Sequence, residues 1–472
     1  LALPLIINKN IVDMEYAVRG PIPQRAAKLK QQGRKIIPCN IGNPQALGQK
    51  PITYYRNVLS LLEDPGKIIR ERKLKNFALQ GIDLISDYAL ETSELFLSKI
   101  STGMGAYTDS KGPLFIREAI ADFINKRDGF TDHDLDLQSN PDYIFLTDGA
   151  SEGAKAVLEL IIADENDGIM IPTPQYPLYS ATIRRCGGKQ VNYYPDEEHG
   201  WLIERSALED AYAKAIKTGI NLKTLVVINP ANPTGAILDS NSISEIIEFA
   251  MDHELSIIAD EVYQDNLYGK EFTSFAKAIG EKNISLFSLH SVSKGFHGEC
   301  GHRGGYLEVR NPPRILEPPD SQFIDLLFKL ASVNLCSNTV GQALVYLMVN
   351  PPKNGSDAYH QYQEEKQTIL DDLYDKGTMI KSTFNKMEGM ECFGEIGAMY
   401  LFPRMNKLPA GTDDFDYCMA LLEETGLCVV NGAGFGQKPG TNHLRVAFLP
   451  PRLMLEDVLS GWVKFHNQYV NQ

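Results

Sequence analysis

The chain has no apolar run approaching the roughly 18 residues that span a bilayer as a helix, so no membrane partner is expected. It has no long basic run either. Sixty acidic residues against 46 lysines and arginines leave a formal net charge of −14. That balance argues against nucleic acid as a partner, while a local basic pocket for a small anionic substrate stays open. No C-x-x-C pair is present, and the seven cysteines are scattered and odd in number. Reduced thiols in an intracellular protein fit this better than a disulfide framework. The nine histidines form no H-E-x-x-H or similar cluster, so no metal is expected. Internal repeats and low-complexity tracts are lacking. What is there is an ordinary globular composition, 43% hydrophobic and 22% charged over 472 residues, enough for two or three cores. The chain opens on Leu1 rather than Met, so removal of a targeting segment is compatible with it. Either the cytoplasm or the mitochondrial matrix is the expected location.

One stretch organises the rest: S-L-H-S-V-S-K-G-F-H-G-E-C-G-H-R-G-G-Y, Ser288 to Tyr306. A strand-like run, Ile284 to Leu289, leads into it. Lys294 follows Ser291 and Ser293, and Arg303 stands nine residues further on among glycines. Glycines let backbone approach a ligand closely. A lysine by itself is usually a solvated surface residue. S-V-S-K also fits the S-x-x-K pattern of serine acyl-enzymes, with Ser291 as nucleophile. That pattern needs an S-D-N element and a downstream K-T-G. The chain has no S-D-N, and its one K-T-G, Lys217 to Gly219, lies upstream. Lysine, arginine and serine hydroxyls on one loop suit a ligand with a carbonyl to condense with an amine and a phosphate to be held. Pyridoxal phosphate has both.

In chain order, Pro21 and Pro23 precede a helical pattern over 24–32, and a short strand over 36–42 runs into Gly42-Asn43-Pro44. Helices are expected over 52–62, 81–99 and 114–126. A glycine loop, 103–107, ends in Tyr107, an interface residue by pattern. A strand at 143–147 stops at Asp148-Gly-Ala-Ser151, with a helix starting at Glu152 or Gly153. That is an anion site built on unpaired amides, or Ser151 is simply an N-cap. Further strands at 168–171, 225–228 and 255–259 end in Pro172 to Pro177, Asn229 to Gly235 and Asp260 to Tyr263, with a helix at 242–253. Strands alternating with helices predict an α/β fold, a mostly parallel sheet flanked by helices. Ligands of such sheets sit at the carboxyl ends of the strands, where each of these polar clusters falls. From about Leu347 the pattern shifts to a long helix, 356–387, then short strands and a helix at 414–425. The expected division is 1–100 for the N-terminal arm and part of a small domain, 101–346 for a large cofactor-binding domain, and 347–472 for a small α+β domain. Gly432 to Gly436 reads as a loop.

Pyridoxal phosphate dictates a set of partners. Lys294 supplies the amine. Asp260, an acid at a strand end, would face the ring nitrogen. Tyr263 and Asn232 can donate to the ring's phenolic oxygen. The phosphate needs the amides of Ala150 and Ser151, a hydroxyl of Ser291 or Ser293, and the planar fork of Arg303. Tyr176 can stack on the open face of the ring, with Val262 behind it. Arg445 alternates with apolar neighbours in His-Leu-Arg-Val-Ala-Phe. A charge there needs a partner, either the substrate carboxylate or a structural acid.

N-P-A-N-P-T-G (229–235), D-E-V-Y (260–263), S-V-S-K (291–294) and R-G-G (303–305) resemble the class I/II aminotransferases among the fold type I pyridoxal phosphate enzymes. Within that family, C-N-I-G-N-P-Q-A-L-G-Q (39–49), P-Q-Y-P-L-Y-S-A (174–181), the stretch 293–305, N-L-C-S-N (334–338) and F-G-Q-K-P-G-T-N-H-L-R (435–445) are similar to the alanine aminotransferases. The resemblance implies a Schiff base on Lys294, a pyridinium contact from Asp260 and a phosphate contact from Arg303. Gly42, Tyr176, Asn232 and Arg445 would bind substrate. It also implies a homodimer in which Tyr107 reaches the partner subunit's phosphate. The reaction implied passes the amino group of L-alanine to 2-oxoglutarate. The alternatives are another small neutral donor and a silent pyridoxal-binding protein. The nine-residue step from Lys294 to Arg303 is one longer than in aspartate-type relatives, which leaves Ser291 and Ser293 both open for the phosphate. No second arginine for the distal carboxylate of glutamate is evident.

Overall fold

A computed structural model of the protein describes residues 5–77 and 84–472. Strand β1, Ile37–Pro38, comes first. Seven further strands form the large sheet: β2 (Ile144–Asp148), β3 (Asp167–Pro172), β4 (Lys189–Tyr193), β5 (Asn221–Ile228), β6 (Ser256–Asp260), β7 (Leu286–Ser291) and β8 (Gly304–Arg310). Their order across the sheet is β2-β8-β7-β6-β5-β3-β4. β8 runs against both its neighbours, and the other pairs are parallel. β3 and β7 are buried along their whole length, as strands covered on both faces must be. Met170, Leu225, Val227, Ile257 and Ala259 face one helical layer. Ile169, Ile171, Val226, Ile258 and Phe287 face the other.

The register explains how distant motifs meet. Ile228 pairs with Asp260, Asp260 with Leu289, Ser291 with Gly305, and Gly305 with Thr147. The carboxyl ends of β5, β6, β7 and β2 therefore share one edge of the sheet. Glycine is needed where helix Ala150–Ile161 lies down on this edge. A Cβ on Gly305 would come within 2.7 Å of the Gly149 carbonyl carbon, and one on Gly153 within 2.8 Å of Leu289.

The smaller unit carries β9 (Met390–Glu391), β10 (Tyr400–Leu401), β11 (Arg404–Met405), β12 (Leu427–Cys428), β13 (Val430–Asn431) and β14 (Leu444–Ala447), with helices Tyr359–Phe384, Asp414–Thr425 and Arg452–Tyr469. Its core gathers Phe384, Leu421, Leu422 and Trp462 around Ile22, Ala26, Leu29 and Ile37 from the N-terminal segment. β1 pairs in parallel with β12. Helices Thr53–Glu63 and Asp87–Lys99 pack instead with Ile116, Ile120, Leu344 and Leu347. We propose on this packing that 21–39 belongs with the small unit and 53–77 and 84–99 with the large one. The two units touch backbone to backbone at Gly235 and Gly397, where a Cβ on Gly235 would meet the Gly397 oxygen at 2.8 Å.

Some elements differ from expectation. The strand foreseen over 36–42 is only Ile37–Pro38. Beyond it Cys39 still bonds Cys428 and Ala447 through its backbone, and the chain then crosses to the sheet edge. The helix foreseen at 152 or 153 begins at Ala150 with Gly149 as its cap, so Ser151 is not the N-cap. Of the helix foreseen over 81–99, residues 81–83 lie outside the described residues, and Ser86 caps a helix over Asp87–Lys99. An unforeseen helix, Gly66–Lys75, follows Pro65. Residues Gly432–Phe435 form a 3-10 turn.

Candidate active site

A cavity of about 340 Å³ opens at the carboxyl edge of the sheet, between the two units. Lys294 stands on the turn after β7 and is partly buried. Its amine donates to the Gly42 carbonyl at 2.7 Å, and no acid lies within 4 Å of it among the described residues. Asp260 ends β6, 6% exposed. Tyr179, itself buried, donates to one carboxylate oxygen at 2.7 Å, and the Val262 amide approaches the other at 3.4 Å. Burial pushes the Asp260 carboxyl above its usual range, opposed by the Tyr179 bond, the Val262 amide and the charge of Lys294. No cation lies within 4 Å of this acid among the described residues.

Across the cavity, Arg303 takes a left-handed backbone conformation (φ 53°), which a side chain adopts only when its surroundings hold it there. The surroundings are glycines. Gly304 lies against the backbone of Gly341, and Gly149 leaves room for the guanidinium. The guanidinium donates to the carbonyls of Asp148 and Cys300 and to the Ser151 hydroxyl, all at 3.0–3.2 Å. It therefore sits at the N-terminus of helix Ala150–Ile161, which no side chain caps. Amides, helix dipole and guanidinium converge on one anion site. Ser291 and Ser293 both line the cavity, and the Ser293 amide donates to the Ser291 hydroxyl at 3.3 Å.

Arg445 projects from β14, 2% exposed. It donates to the Asn232 side chain at 3.1 Å and to the Asn40 carbonyl, and packs over the rings of Tyr400 (4.4 Å) and Phe435 (4.6 Å). Its Nε has no acceptor, and no acid pairs with it among the described residues. A structural salt bridge is thus not what Arg445 is for. Asn232 in turn approaches the Tyr263 hydroxyl at 3.5 Å, and Tyr263 donates to Tyr400 at 3.1 Å.

Of the residues singled out in the sequence, Gly42, Ala150, Ser151, Tyr176, Asn232, Asp260, Tyr263, Ser291, Ser293, Lys294, Arg303 and Arg445 all line this cavity. Tyr107 does not. It is 76% exposed, on the loop foreseen for it. Four lining or supporting residues had no sequence signal of their own. Tyr400 lies in an apolar strand, Tyr179 in a helix, and Tyr16 and Arg19 in the N-terminal segment. Against burial, the charges of Lys294 and Arg445 and the bond from Tyr263 hold the Tyr400 phenol below the ordinary range.

The donor set fits pyridoxal phosphate. Among the described residues it leaves a buried carboxylate without a cation, an arginine and open amides without an anion, an amine without an acid, and a second arginine, this one buried, without an acid. A ring with a basic nitrogen, a carbonyl and a phosphate, plus a substrate carboxylate, complements each one.

Residues 84–459 match the family model for aminotransferase class I and II. A Dictyostelium discoideum protein named probable alanine aminotransferase, mitochondrial, is 41% identical over 99% of this chain and 89% of its own. Glutamate–glyoxylate aminotransferase 1 of Arabidopsis thaliana is 40% identical over 99% and 96%. A Saccharomyces cerevisiae protein named inactive alanine aminotransferase is 40% identical over 99% and 94%. The solved structure of an alanine aminotransferase from Pyrococcus furiosus superposes with a TM-score of 0.77 at 25% identity, covering 98% of this chain and 100% of that one.

Proposed function

The chain belongs to the class I and II aminotransferases, a family of pyridoxal phosphate enzymes, and from that premise we propose that it transfers the amino group of L-alanine to 2-oxoglutarate, giving pyruvate and L-glutamate. The observation that carries the reading is the convergence on one cavity of Asp260 from the end of β6, Lys294 from the turn after β7, Arg303 from the turn before β8 and Arg445 from β14. When bound, the cofactor supplies a reactive carbonyl and a ring that withdraws electrons from the substrate Cα. The protein's residues do the rest. Arg303 and the amides of Ala150 and Ser151 bind the phosphate. Asp260, held by Tyr179, keeps a proton on the ring nitrogen. Asn232 and Tyr263 orient the phenolic oxygen. Tyr176 flanks the ring. Arg445, with Asn232 and the Gly42 backbone, binds the α-carboxylate. Lys294 Nζ then stands where it can take the proton from the substrate Cα and return it elsewhere.

Tyr107, exposed and outside the cavity, is assigned to the site of a second copy in a homodimer. The compartment is the mitochondrial matrix or the cytoplasm. A second reading is favoured by the Arabidopsis relatives named for glyoxylate: a wider choice of acceptor on the same donor site. Purified holoenzyme and Lys294→Ala, assayed with a panel of donors and acceptors, test both readings. The variant should lose the lysine-bound cofactor absorbance and at least about 10³-fold in turnover. Retention of both by the variant, or silence of the wild type toward alanine, refutes the proposal.

A further inference from the structure

We infer that Tyr400 is a catalytic base whose oxygen takes the proton that the amino-acid substrate must shed before its nitrogen can react; the inference rests on the aminotransferase reading and adds a residue to its first step. An amino acid arrives at neutral pH with its nitrogen as an ammonium group, which has no lone pair to offer a carbonyl carbon. One proton must therefore pass to the protein. Among the described residues no histidine and no glutamate lines the cavity, and Asp260 is the one acid there. Asp260 is assigned to the ring nitrogen and Lys294 to the proton of the substrate Cα. The acceptors left over are phenols and the Cys300 thiol.

Position singles out Tyr400. With the α-carboxylate on Arg445 and the carbonyl marked by Lys294, the substrate nitrogen lies between those two side chains. Tyr400 bridges the same gap. Its ring lies 4.4 Å from the Arg445 guanidinium. Its hydroxyl reaches Gly42, whose carbonyl accepts from the Lys294 amine at 2.7 Å. A methyl carbon on Gly42 would overlap that hydroxyl and stand 3.2 Å from Lys294 Nζ, so phenol oxygen and amine are near neighbours. The other candidates are engaged elsewhere. The Tyr16 and Tyr176 hydroxyls bond each other at 2.8 Å, and the Cys300 thiol meets the Asn43 side chain at 3.2 Å. Tyr263 donates to Tyr400 at 3.1 Å, which makes the Tyr400 oxygen the acceptor of that pair.

The titratable and charged groups facing Tyr400 are Tyr263 after β6, Lys294 after β7, Cys300 before β8, Arg445 on β14, and Tyr176. Burial pushes the Tyr400 phenol up, and Cys300 adds to that push. The charges of Lys294 and Arg445 and the Tyr263 bond outweigh both and hold it below the ordinary phenol range. Burial drives Tyr263 and Tyr176 the other way, so they keep their protons. The proton balance closes over one full cycle. An N–H bond of the alanine ammonium breaks, its electron pair stays on nitrogen, and an O–H bond forms at Tyr400. The proton goes back to the nitrogen of glutamate, which departs as an ammonium in its turn. Lys294 is left to carry the Cα proton alone.

The test mixes wild-type holoenzyme and Tyr400→Phe with L-alanine and, separately, with aminooxyacetate, and follows the cofactor absorbance. Aminooxyacetate pairs a carboxylate with a nitrogen that is already unprotonated at neutral pH. Alanine should react about 10-fold more slowly with the variant at neutral pH. That deficit should shrink as pH rises and alanine sheds its own proton in solution, while aminooxyacetate reacts with the two proteins at the same rate. After removal of the cofactor, ultraviolet titration of the wild type should show a phenolate forming below the ordinary value of about 10, one that Tyr400→Phe lacks. An unchanged alanine rate overturns the inference, and so do identical phenol titrations. Equal slowing of both reagents does the same, since it would make Tyr400 a prop for the site. A wild type that reacts with aminooxyacetate but not with alanine fails the aminotransferase reading, and the inference falls with it.

Discussion

Replacing Gly42 by alanine probes the tightest approach in the site. A methyl carbon at this position would overlap the Tyr400 hydroxyl oxygen, with Tyr400 Cζ 3.1 Å away and Lys294 Nζ 3.2 Å away. The phenol has little room to yield, since its ring stacks on the Arg445 guanidinium at 4.4 Å and its oxygen takes the Tyr263 bond. Overpacking of this kind costs about 1–3 kcal/mol. Read in kcat/KM, that is a fall of about 5- to 150-fold. Tyr400→Phe alone removes the offending oxygen and one hydrogen bond, worth about 0.5–1.5 kcal/mol. The two changes should not add. Once the oxygen is gone, the new methyl meets Cζ at 3.1 Å and Lys294 Nζ at 3.2 Å, each of which asks for a shift of a few tenths of an ångström. The double variant should therefore behave much like Tyr400→Phe, with a coupling of about 1 kcal/mol or more. Non-interacting sites add to within about 0.3–0.5 kcal/mol, so the difference is measurable. The assay is kcat/KM for alanine with 2-oxoglutarate across the four proteins of the cycle. A double variant no faster than Gly42→Ala refutes the steric account.

Arg445→Gln should lower kcat/KM for alanine and glutamate alike, by about 10- to 150-fold, because it removes charge-assisted bonds to a group both share. Selective loss on glutamate would contradict the assignment of Arg445 to the α-carboxylate. Glu261, beside Asp260, is buried outside the cavity and accepts the Phe275 amide at 2.8 Å. Burial pushes its carboxyl up to about 8, against the pull of Arg127. A raised carboxyl favours the fold when protonated, so its contribution is present at pH 4 and is lost as pH rises toward about 8. Urea midpoints of the wild type should fall between pH 5 and pH 8, and Glu261→Gln should flatten that slope; an identical slope in the variant would contradict the assignment.

The residues that could be read from the chain were those whose type is out of place locally. Asp260 ends an apolar strand, Lys294 and Arg303 sit among glycines, and Arg445 interrupts an apolar alternation. Each costs free energy unless a partner exists, and that cost is visible in one dimension. Tyr400 gave no such signal. In G-A-M-Y-L-F-P a tyrosine looks like core, and its ring is core. Its hydroxyl matters only because β10 pairs with β14 and faces the chain at Gly42. Arg19 was hidden for the opposite reason: a surface arginine is unremarkable until the fold lays its segment over a cavity. The start of helix Ala150–Ile161 was misplaced because Gly149, not Ser151, is the cap, so the serine was left free to meet Arg303.

The contact of Gly235 with Gly397 lies where the two halves of the molecule bear on each other, outside the cavity lining. On the proposed assignments Lys294, Asp260 and Arg303 come from one half and Arg445 from the other, so a bound amino acid would act as a rivet between them. On that reading affinity depends on how the two halves are set before the rivet goes in. A side chain wedged into that glycine seam would spread them and weaken every substrate together, with no atom of the binding side chains replaced.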